Sequence, residues 1–135
     1  MVQDQRGCQQ ANVVYEAEVS CSKYGARNYR GSSKNFKARY YKHMADIRDI
    51  QAAGTTLSTF IHKLAKENCT YSLKWSILKT VPGNLMSTKG ICRLCEYEKK
   101  AILYAPDCKR LLNKKSEILG ACMHRTEKWR TEKVI

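Results

Sequence analysis

Apolar and polar residues alternate along two stretches of the chain, which is the pattern of a strand that buries one face. In the first stretch the apolar positions are Val13, Tyr15, Ala17 and Val19. This alternation predicts a strand over residues 12–20, and turn-forming residues at 22–25 lead into a return strand over 27–31. The second stretch predicts a third strand over 71–77. The pattern therefore favours a hairpin followed by one further strand.

Apolar residues recur at helical spacing in three other stretches. They predict helices over residues 34–51, around 57–64 and over 92–104. Gly31-Ser32-Ser33 offers an N-cap for the first of these helices. A shorter stretch at 116–119 is long enough for one or two helical turns.

The order of these elements and the length of the chain indicate the fold class. Three strands in an antiparallel sheet with helices packed on its faces form the simplest assembly, an α+β fold. With 135 residues, of which 43% are hydrophobic, the chain suits one domain with a modest core. We expect a single domain over 1–135, with a core at about 12–120 and a basic tail at 121–135. The polar start and the Arg/Lys-rich end indicate a piece of a larger polypeptide.

The chain is strongly basic, with 25 Lys and Arg against 12 Asp and Glu and a formal net charge of +13. Such a balance indicates a polyanionic partner, most often the phosphate backbone of a nucleic acid. The basic residues are spread along the sequence, which favours a folded basic surface over a disordered arm. Neither a bilayer-spanning apolar run nor a signal-peptide pattern is present, so we expect an intracellular protein with no membrane partner.

Six polar side chains suit phosphodiester chemistry: Tyr15, Tyr29, Arg39, His43, Glu98 and Asn113. Hydrolysis of a phosphodiester needs a cation to neutralise the developing charge, a base for the water and donors that hold the phosphate. Arg39 follows Tyr29 by ten residues, and His43 lies one helical turn further on. This spacing resembles that of the GIY-YIG nuclease family. The resemblance runs from Val13 to Asn113.

The two motifs of that family resemble Val13-Val14-Tyr15 and Tyr29-Arg30-Gly31, which lie on the first two predicted strands. Val13-Val14 replaces Gly-Ile, and we expect this change to be harmless because these positions supply backbone and packing. Arg30 replaces the middle Ile and, on a strand, should point to the face opposite Tyr29 and Gly31. Its side chain would lie either at a DNA-facing rim or on the solvent side.

The resemblance implies a role for each side chain. Glu98 is the implied ligand of a catalytic Mg²⁺ ion, for which Mn²⁺ can substitute, and Arg39 stabilises charge on the phosphate. The general base is Tyr15, Tyr29 or His43, and Tyr15 assisted by His43 is the favoured assignment. A cation beside the phenol is expected to lower its pKa.

Each assignment has a structural alternative. The two tyrosines also fit half-buried strand aromatics, and Arg39 and His43 fit a solvated helix face. Glu98 fits an exposed helix surface, and Glu96, two positions earlier, should point elsewhere and serve as its control. Asn113 fits a helix N-cap as well as a support for the metal site or the phosphate.

A second set of residues suits a structural zinc ion: Cys92, Cys95, Cys122 and His124. The two-residue gap in the first pair and the mixture of thiolate and imidazole are typical of tetrahedral Zn²⁺ sites. Such a site would staple the C-terminal tail onto the third helix. The alternative is a set of small buried cysteines with a surface histidine. The other cysteines are expected in core or loop positions, and His62 in a structural or exposed one.

Contacts with DNA are expected from basic residues along the whole domain: Lys34, Lys37, Lys42, Lys99, Lys109, Arg110, Lys114 and Lys115. Such side chains mostly grip phosphates, so they add little base specificity. The competing class of function is a non-catalytic, zinc-stapled module that binds DNA or RNA without cutting it.

Five blocks of sequence carry a narrower resemblance: 72–78, 92–95, 98–99, 111–117 and 122–125. They resemble the endonuclease domain of Penelope-like retroelements, which lies beside a reverse transcriptase. This resemblance implies that the chain nicks chromosomal DNA in the nucleus and exposes a 3′-hydroxyl that primes reverse transcription. The implied partners are DNA and the reverse transcriptase domain of the same polypeptide.

Overall fold

The computed structural model describes residues 11–51, 54–81, 92–107 and 109–114. The strands in these ranges are β1 (Val13–Cys21), β2 (Gly25–Ser33) and β3 (Tyr71–Thr80). The helices are α1 (Phe36–Arg48), α2 (Thr56–Lys66) and α3 (Arg93–Leu103). In this described part of the chain, no helix has the length and apolar character needed to cross a membrane.

The three strands form one antiparallel sheet in the order β2-β1-β3. β1 is therefore the central strand. Tyr15 lies opposite Gly31 on β2, and Ala17 lies opposite Tyr29. Residues that face each other across an antiparallel pair share a face of the sheet, so Tyr15 and Tyr29 project from the same side. The predicted α+β fold with a small antiparallel sheet is confirmed.

Helices cover both faces of the sheet. The larger core lies between one face and helices α1 and α2. Its buried members include Val13, Tyr15, Phe36, Leu57, Leu64 and Trp75. The smaller core lies between the other face and α3, and contains Val14, Val81, Cys92 and Leu94. Burial of apolar area on both faces is the main stabilising contribution to such a fold.

The start of α1 differs from the prediction. Ser32 and Ser33 do not cap the helix, because they extend β2 and pair with β1. The helix begins at Phe36, after Asn35, whose side-chain oxygen accepts a hydrogen bond from the backbone N–H three residues on. It also ends earlier than predicted, at Arg48. Ser32 and Ser33 were predicted as helix caps from their capping preference, but they belong to the strand because they pair with β1.

A short C-terminal segment extends the sheet at the outer edge of β2. Leu111 forms a parallel bridge with Asn28. The Asn28 N–H donates to the Arg110 carbonyl at 2.8 Å, and the Leu112 N–H donates to the Asn28 carbonyl at 2.6 Å. The sequence indicates only a short apolar stretch here, since this pairing is a long-range contact. The helical turns and the basic tail predicted after residue 115 lie outside the described residues.

Candidate active site

Tyr15 is at the centre of the predicted site. Its side chain is fully buried against Phe36 and Trp75, with ring centroids 5.2 and 6.0 Å away. The phenol ring lies over Gly31 of the neighbouring strand, where a methyl group would be 2.6 Å from the Tyr15 hydroxyl oxygen. Gly31 therefore provides the space that lets the Tyr15 hydroxyl lie over β2, the outer strand.

His43 holds the Tyr15 hydroxyl from α1. Its Nε2 lies 2.7 Å from the hydroxyl oxygen, and its side chain is only 1% exposed, so the alternative of a solvated helix face is wrong for His43. Burial, with Arg39 and Lys42 adding to it, lowers the pKa of His43 to about 4. The imidazole is therefore neutral at pH 7, and it accepts the phenol's hydrogen bond through Nε2 when its own proton is on Nδ1.

The depressed pKa of His43 predicts that the fold is sensitive to acid. The unfolded imidazole binds a proton near pH 6.5, whereas the folded one stays neutral down to about pH 4. The contribution of the neutral His43 imidazole to the unfolding free energy is therefore fully present above pH 6.5, and it is lost as the pH falls towards 4. Between pH 7.5 and pH 5 we expect wild type to lose about 2 kcal/mol more unfolding free energy than His43→Gln, which cannot titrate. Urea unfolding at the two pH values measures this, and equal losses would contradict it.

Three more of the predicted side chains act on the Tyr15 phenol. Burial raises the pKa of Tyr15 well above its usual range, and the neighbouring Tyr29 raises it too. Arg39 lowers this pKa through its charge and a hydrogen bond, whereas the charge of Glu98 raises it. Tyr29 of β2, Arg39 of α1 and Glu98 of α3 therefore lie within electrostatic range of the Tyr15 phenol. Arg39 acts on the phenol pKa in the expected direction, and burial acts more strongly in the opposite direction.

Glu98 reaches the site from α3, on the other face of the sheet. Its carboxylate accepts a hydrogen bond from the Ser32 hydroxyl of β2. Arg30 holds α3 against the sheet, because its guanidinium bonds the Glu16 carboxylate at 2.9 Å and the Ala101 carbonyl at 2.7 Å. The Arg30 side chain is only 14% exposed, so it lies beneath α3 and not on the solvent side. It points away from the Tyr15 face, as predicted.

Asn113 lies on the backbone of β2 beside the site. Its Oδ1 accepts a hydrogen bond from the Arg30 N–H at 2.8 Å, and its Nδ2 donates to the Arg30 carbonyl at 2.7 Å. The side-chain amide thus continues the pairing that Leu111 begins along the outer edge of β2. Asn113 therefore clamps the strand between Tyr29 and Gly31. Any helix that it would cap after residue 114 lies outside the described residues.

The surroundings of Glu98 fit a magnesium ion. Mg²⁺ keeps several waters and is usually held by one or two carboxylates together with substrate phosphates. In the described ranges, no three His, Cys, Asp or Glu side chains come together as a metal cage. Glu98 is a partly buried carboxylate beside a hydroxyl, and an ion held there would depend on waters and a substrate phosphate for its other ligands.

Two of the four predicted zinc ligands fall within the described residues. Cys92 is buried at the N-cap of α3, and Cys95 follows, partly buried, in the first turn of that helix. Their spacing fits a pair of thiolate ligands. Cys122 and His124 lie outside the described residues, so the zinc site stays a prediction.

Most of the predicted DNA contacts are at the surface. The exposed ones are Lys37, Lys42, Lys109, Arg110 and Lys114, whereas Lys34 and Lys99 are half-buried and Lys115 is not among the described residues. Two of them face carboxylates, at 3.9 Å for Lys42–Asp46 and 3.3 Å for Arg110–Asp107. The Arg110–Asp107 pair is exposed on both sides and is therefore weak, whereas Asp46 is buried and only Lys42 of its pair is exposed.

His62 has the structural role that the sequence indicates. Its Nε2 lies 2.9 Å from the Asp46 carbonyl and 3.1 Å from the Ile47 carbonyl, and so ties α2 to α1. Among the remaining cysteines, Cys21 is buried and Cys69 half-buried, as expected for core and loop positions. Cys8 and Cys108 are not among the described residues.

Ser32 is the member of the site that sequence reasoning does not identify. Its hydroxyl suggests a helix cap, and no motif marks it. The sequence does give its position one residue after Gly31. Because side chains alternate between the faces of a sheet along a strand, Ser32 must lie on the face opposite Tyr15, towards any helix that covers that face.

A scan against family models and searches of curated proteins and solved structures give no match.

Proposed function

We propose that this chain is a Mg²⁺-dependent DNA endonuclease of the GIY-YIG type, which hydrolyses phosphodiester bonds. The observation that carries the proposal is that the end of β2 brings these elements to one place. The Tyr15 hydroxyl lies over Gly31 and bonds His43 of α1, and Ser32, the next residue, bonds Glu98 of α3. A buried phenol needs one hydrogen-bond partner, and His43 already supplies it. A structural role accounts for the Tyr15–His43 and Ser32–Glu98 hydrogen bonds, whereas phosphodiester cleavage also gives the guanidinium and the carboxylate a chemical task.

Arg39, Glu98 and Tyr29 would each have a different role at the phosphate. Arg39 presents a planar set of N–H donors, which suits the non-bridging oxygens of a phosphate. Glu98 would hold the Mg²⁺ ion, and the bound ion supplies Lewis acidity at the phosphate and at its leaving 3′ oxygen. Tyr29 orients the water or the phosphate.

The attacking water must give up a proton. Burial keeps Tyr15 protonated at neutral pH, so the phenol oxygen takes the water's proton only if its own proton moves to His43. That nitrogen, Nε2, is 2.7 Å away on a neutral imidazole. Water loses one O–H bond, the phenol exchanges one proton for another, and an N–H bond forms on His43. The water oxygen forms a new bond to phosphorus as the P–O3′ bond breaks, and the leaving 3′ oxygen takes a proton from solvent. Because the Tyr15 side chain is fully buried, the bound substrate must bring the water to the phenol oxygen, and His43 would then store the proton.

The finer proposal concerns the substrate. Five sequence blocks resemble the endonuclease domain of Penelope-like retroelements, and the surface is basic. We propose that the chain nicks chromosomal target DNA in the nucleus to prime reverse transcription. Its partners are then DNA and the reverse transcriptase domain of the same polypeptide, and a structural Zn²⁺ ion joins the tail to α3.

A supercoiled-plasmid assay tests the catalytic proposal. We expect wild-type protein to convert supercoiled plasmid to open circles with Mg²⁺ or Mn²⁺ and to leave it intact in EDTA. DNA binding should persist in EDTA and weaken steeply as the salt concentration rises, because basic side chains displace counterions from phosphates. Binding without nicking under all these conditions would instead identify a non-catalytic nucleic-acid module.

A further inference from the structure

We infer that Ser32 is a positioning residue, which orients the Glu98 carboxylate and thereby sets the affinity of the site for its divalent cation. This inference rests on the proposed function, since it gives Glu98 the role of metal ligand. Ser32 itself is not assigned a contact with the substrate or the ion.

The contact between Ser32 and Glu98 joins two distant parts of the chain. Ser32 is 4% exposed and is fixed in β2 by pairing with Val14 of the central strand. Its hydroxyl donates a hydrogen bond to Oε1 of Glu98, which is 66 residues later in the sequence and on α3. The donor is therefore rigid and shielded from water, whereas the acceptor is at the end of a flexible side chain.

Such a contact selects one conformation of the carboxylate. A free glutamate samples several rotamers, and ordering it costs about 1–2 kcal/mol. A hydrogen bond to an ionised group is stronger than a neutral one, so the hydroxyl can offset this cost before the ion arrives. A carboxylate has about four acceptor positions, and one hydrogen bond leaves the others for a cation.

The neighbouring serine has a different task. The Ser33 hydroxyl donates to the Asn35 carbonyl at 2.8 Å and accepts from the Asn35 N–H at 3.0 Å. Ser33 thus fixes the start of α1, while Ser32 contacts α3. Adjacent hydroxyls at the end of one strand therefore connect the two faces of the site, and Ser32 is the one bonded to Glu98.

Variants at residue 32 test the inference through metal binding as well as activity. Second-sphere partners of metal ligands usually contribute a factor of about 10–100 in affinity. We expect Ser32→Ala to weaken Mn²⁺ binding about tenfold or more, measured by electron paramagnetic resonance on protein bound to a duplex that is already nicked. The Mg²⁺ concentration for half-maximal nicking should rise by a similar factor. Ser32→Thr, which keeps the hydroxyl, should stay within about threefold of wild type.

Ser76→Ala is the matched control, because it removes a half-buried strand hydroxyl from β3. It should leave Mn²⁺ affinity unchanged. If wild type shows Glu98-dependent Mn²⁺ binding and Ser32→Ala binds Mn²⁺ equally well, the role of Ser32 is refuted while the nuclease proposal stands. A different pair of results refutes the proposed function: wild type does not nick DNA, and Glu98→Ala binds Mn²⁺ as well as wild type does. The inference about Ser32 then fails with it.

Discussion

Glu98→Ala should lower the rate of Mg²⁺-dependent plasmid nicking by about a thousandfold or more, with little change in DNA affinity. Removing the proposed metal ligand takes away stabilisation of the charge that develops on the phosphate, and a loss of about 4 kcal/mol in the transition state corresponds to that factor. DNA affinity depends mainly on basic side chains that contact phosphates, and these remain. Nicking rates under conditions where all the DNA is bound measure the effect.

Glu96→Ala is the matched control for this variant. Glu96 lies on the same helix two positions earlier and is exposed. Both variants remove one negative charge and therefore change long-range attraction to DNA by the same amount. Only Glu98 bonds Ser32 and acts on the Tyr15 phenol. Nicking by Glu96→Ala should stay within about twofold of wild type, on the usual scale of exposed helix charges.

Glu98→Gln separates charge from shape. The amide keeps an oxygen that can accept the Ser32 hydrogen bond, so the helix and its contact with β2 should be preserved. A neutral amide is a poor Mg²⁺ ligand, and nicking should fall nearly as far as in Glu98→Ala. Unchanged nicking by folded Glu98→Ala and Glu98→Gln proteins would refute the metal-ligand role.

The sheet could be predicted from the sequence because its pattern is local. Period-two alternation locates β1 and β3, and the turn residues between β1 and β2 define the hairpin. The same reasoning fails at the end of β2. Ser32 and Ser33 have a helix-capping preference of roughly 1 kcal/mol, yet continued pairing with β1 satisfies their backbone groups and takes precedence.

The candidate site is likewise only partly predictable from local sequence pattern. Tyr15 and Tyr29 share a face because of strand parity and register, so their proximity follows from the hairpin. The position of Glu98 depends on contacts that no local pattern contains. Arg30 bonds a carbonyl of α3 that is 71 residues later, and Asn113 bonds the Arg30 backbone from 83 residues away. Resemblance to a family names Glu98 and Asn113 as site residues, but it does not indicate these contacts of Arg30.

The environment of His43 is likewise beyond sequence reasoning. Its helical spacing from Arg39 predicts a common side of α1, but not which side faces the core. In the structure the imidazole packs among aromatic rings, with Trp75 at 5.5 Å and Tyr29 at 5.6 Å between centroids. Burial lowers the pKa of His43, so the imidazole is neutral at pH 7, and the spacing of residues along the chain does not predict this.

Gly31→Ala should lower the unfolding free energy by about 3 kcal/mol and reduce nicking about a hundredfold. The new methyl group would lie 2.6 Å from the Tyr15 hydroxyl oxygen and 2.8 Å from Cζ. Tyr15 is fully buried and bonded to His43, so it has no open direction in which to move. Either the strands separate or the phenol leaves its position, and the second response misplaces the group that contacts the water.

A double-mutant cycle with Tyr15→Leu shows whether this clash is the cause. Leucine lacks the hydroxyl oxygen, Cζ and Cε1, which are the atoms nearest to the added methyl group. In that background Gly31→Ala should cost less than about 1 kcal/mol, a coupling of about 2 kcal/mol between the two positions. Urea unfolding followed by far-ultraviolet circular dichroism measures all four proteins. Equal costs in both backgrounds would mean that glycine is required for strand geometry, and that the phenol does not depend on it.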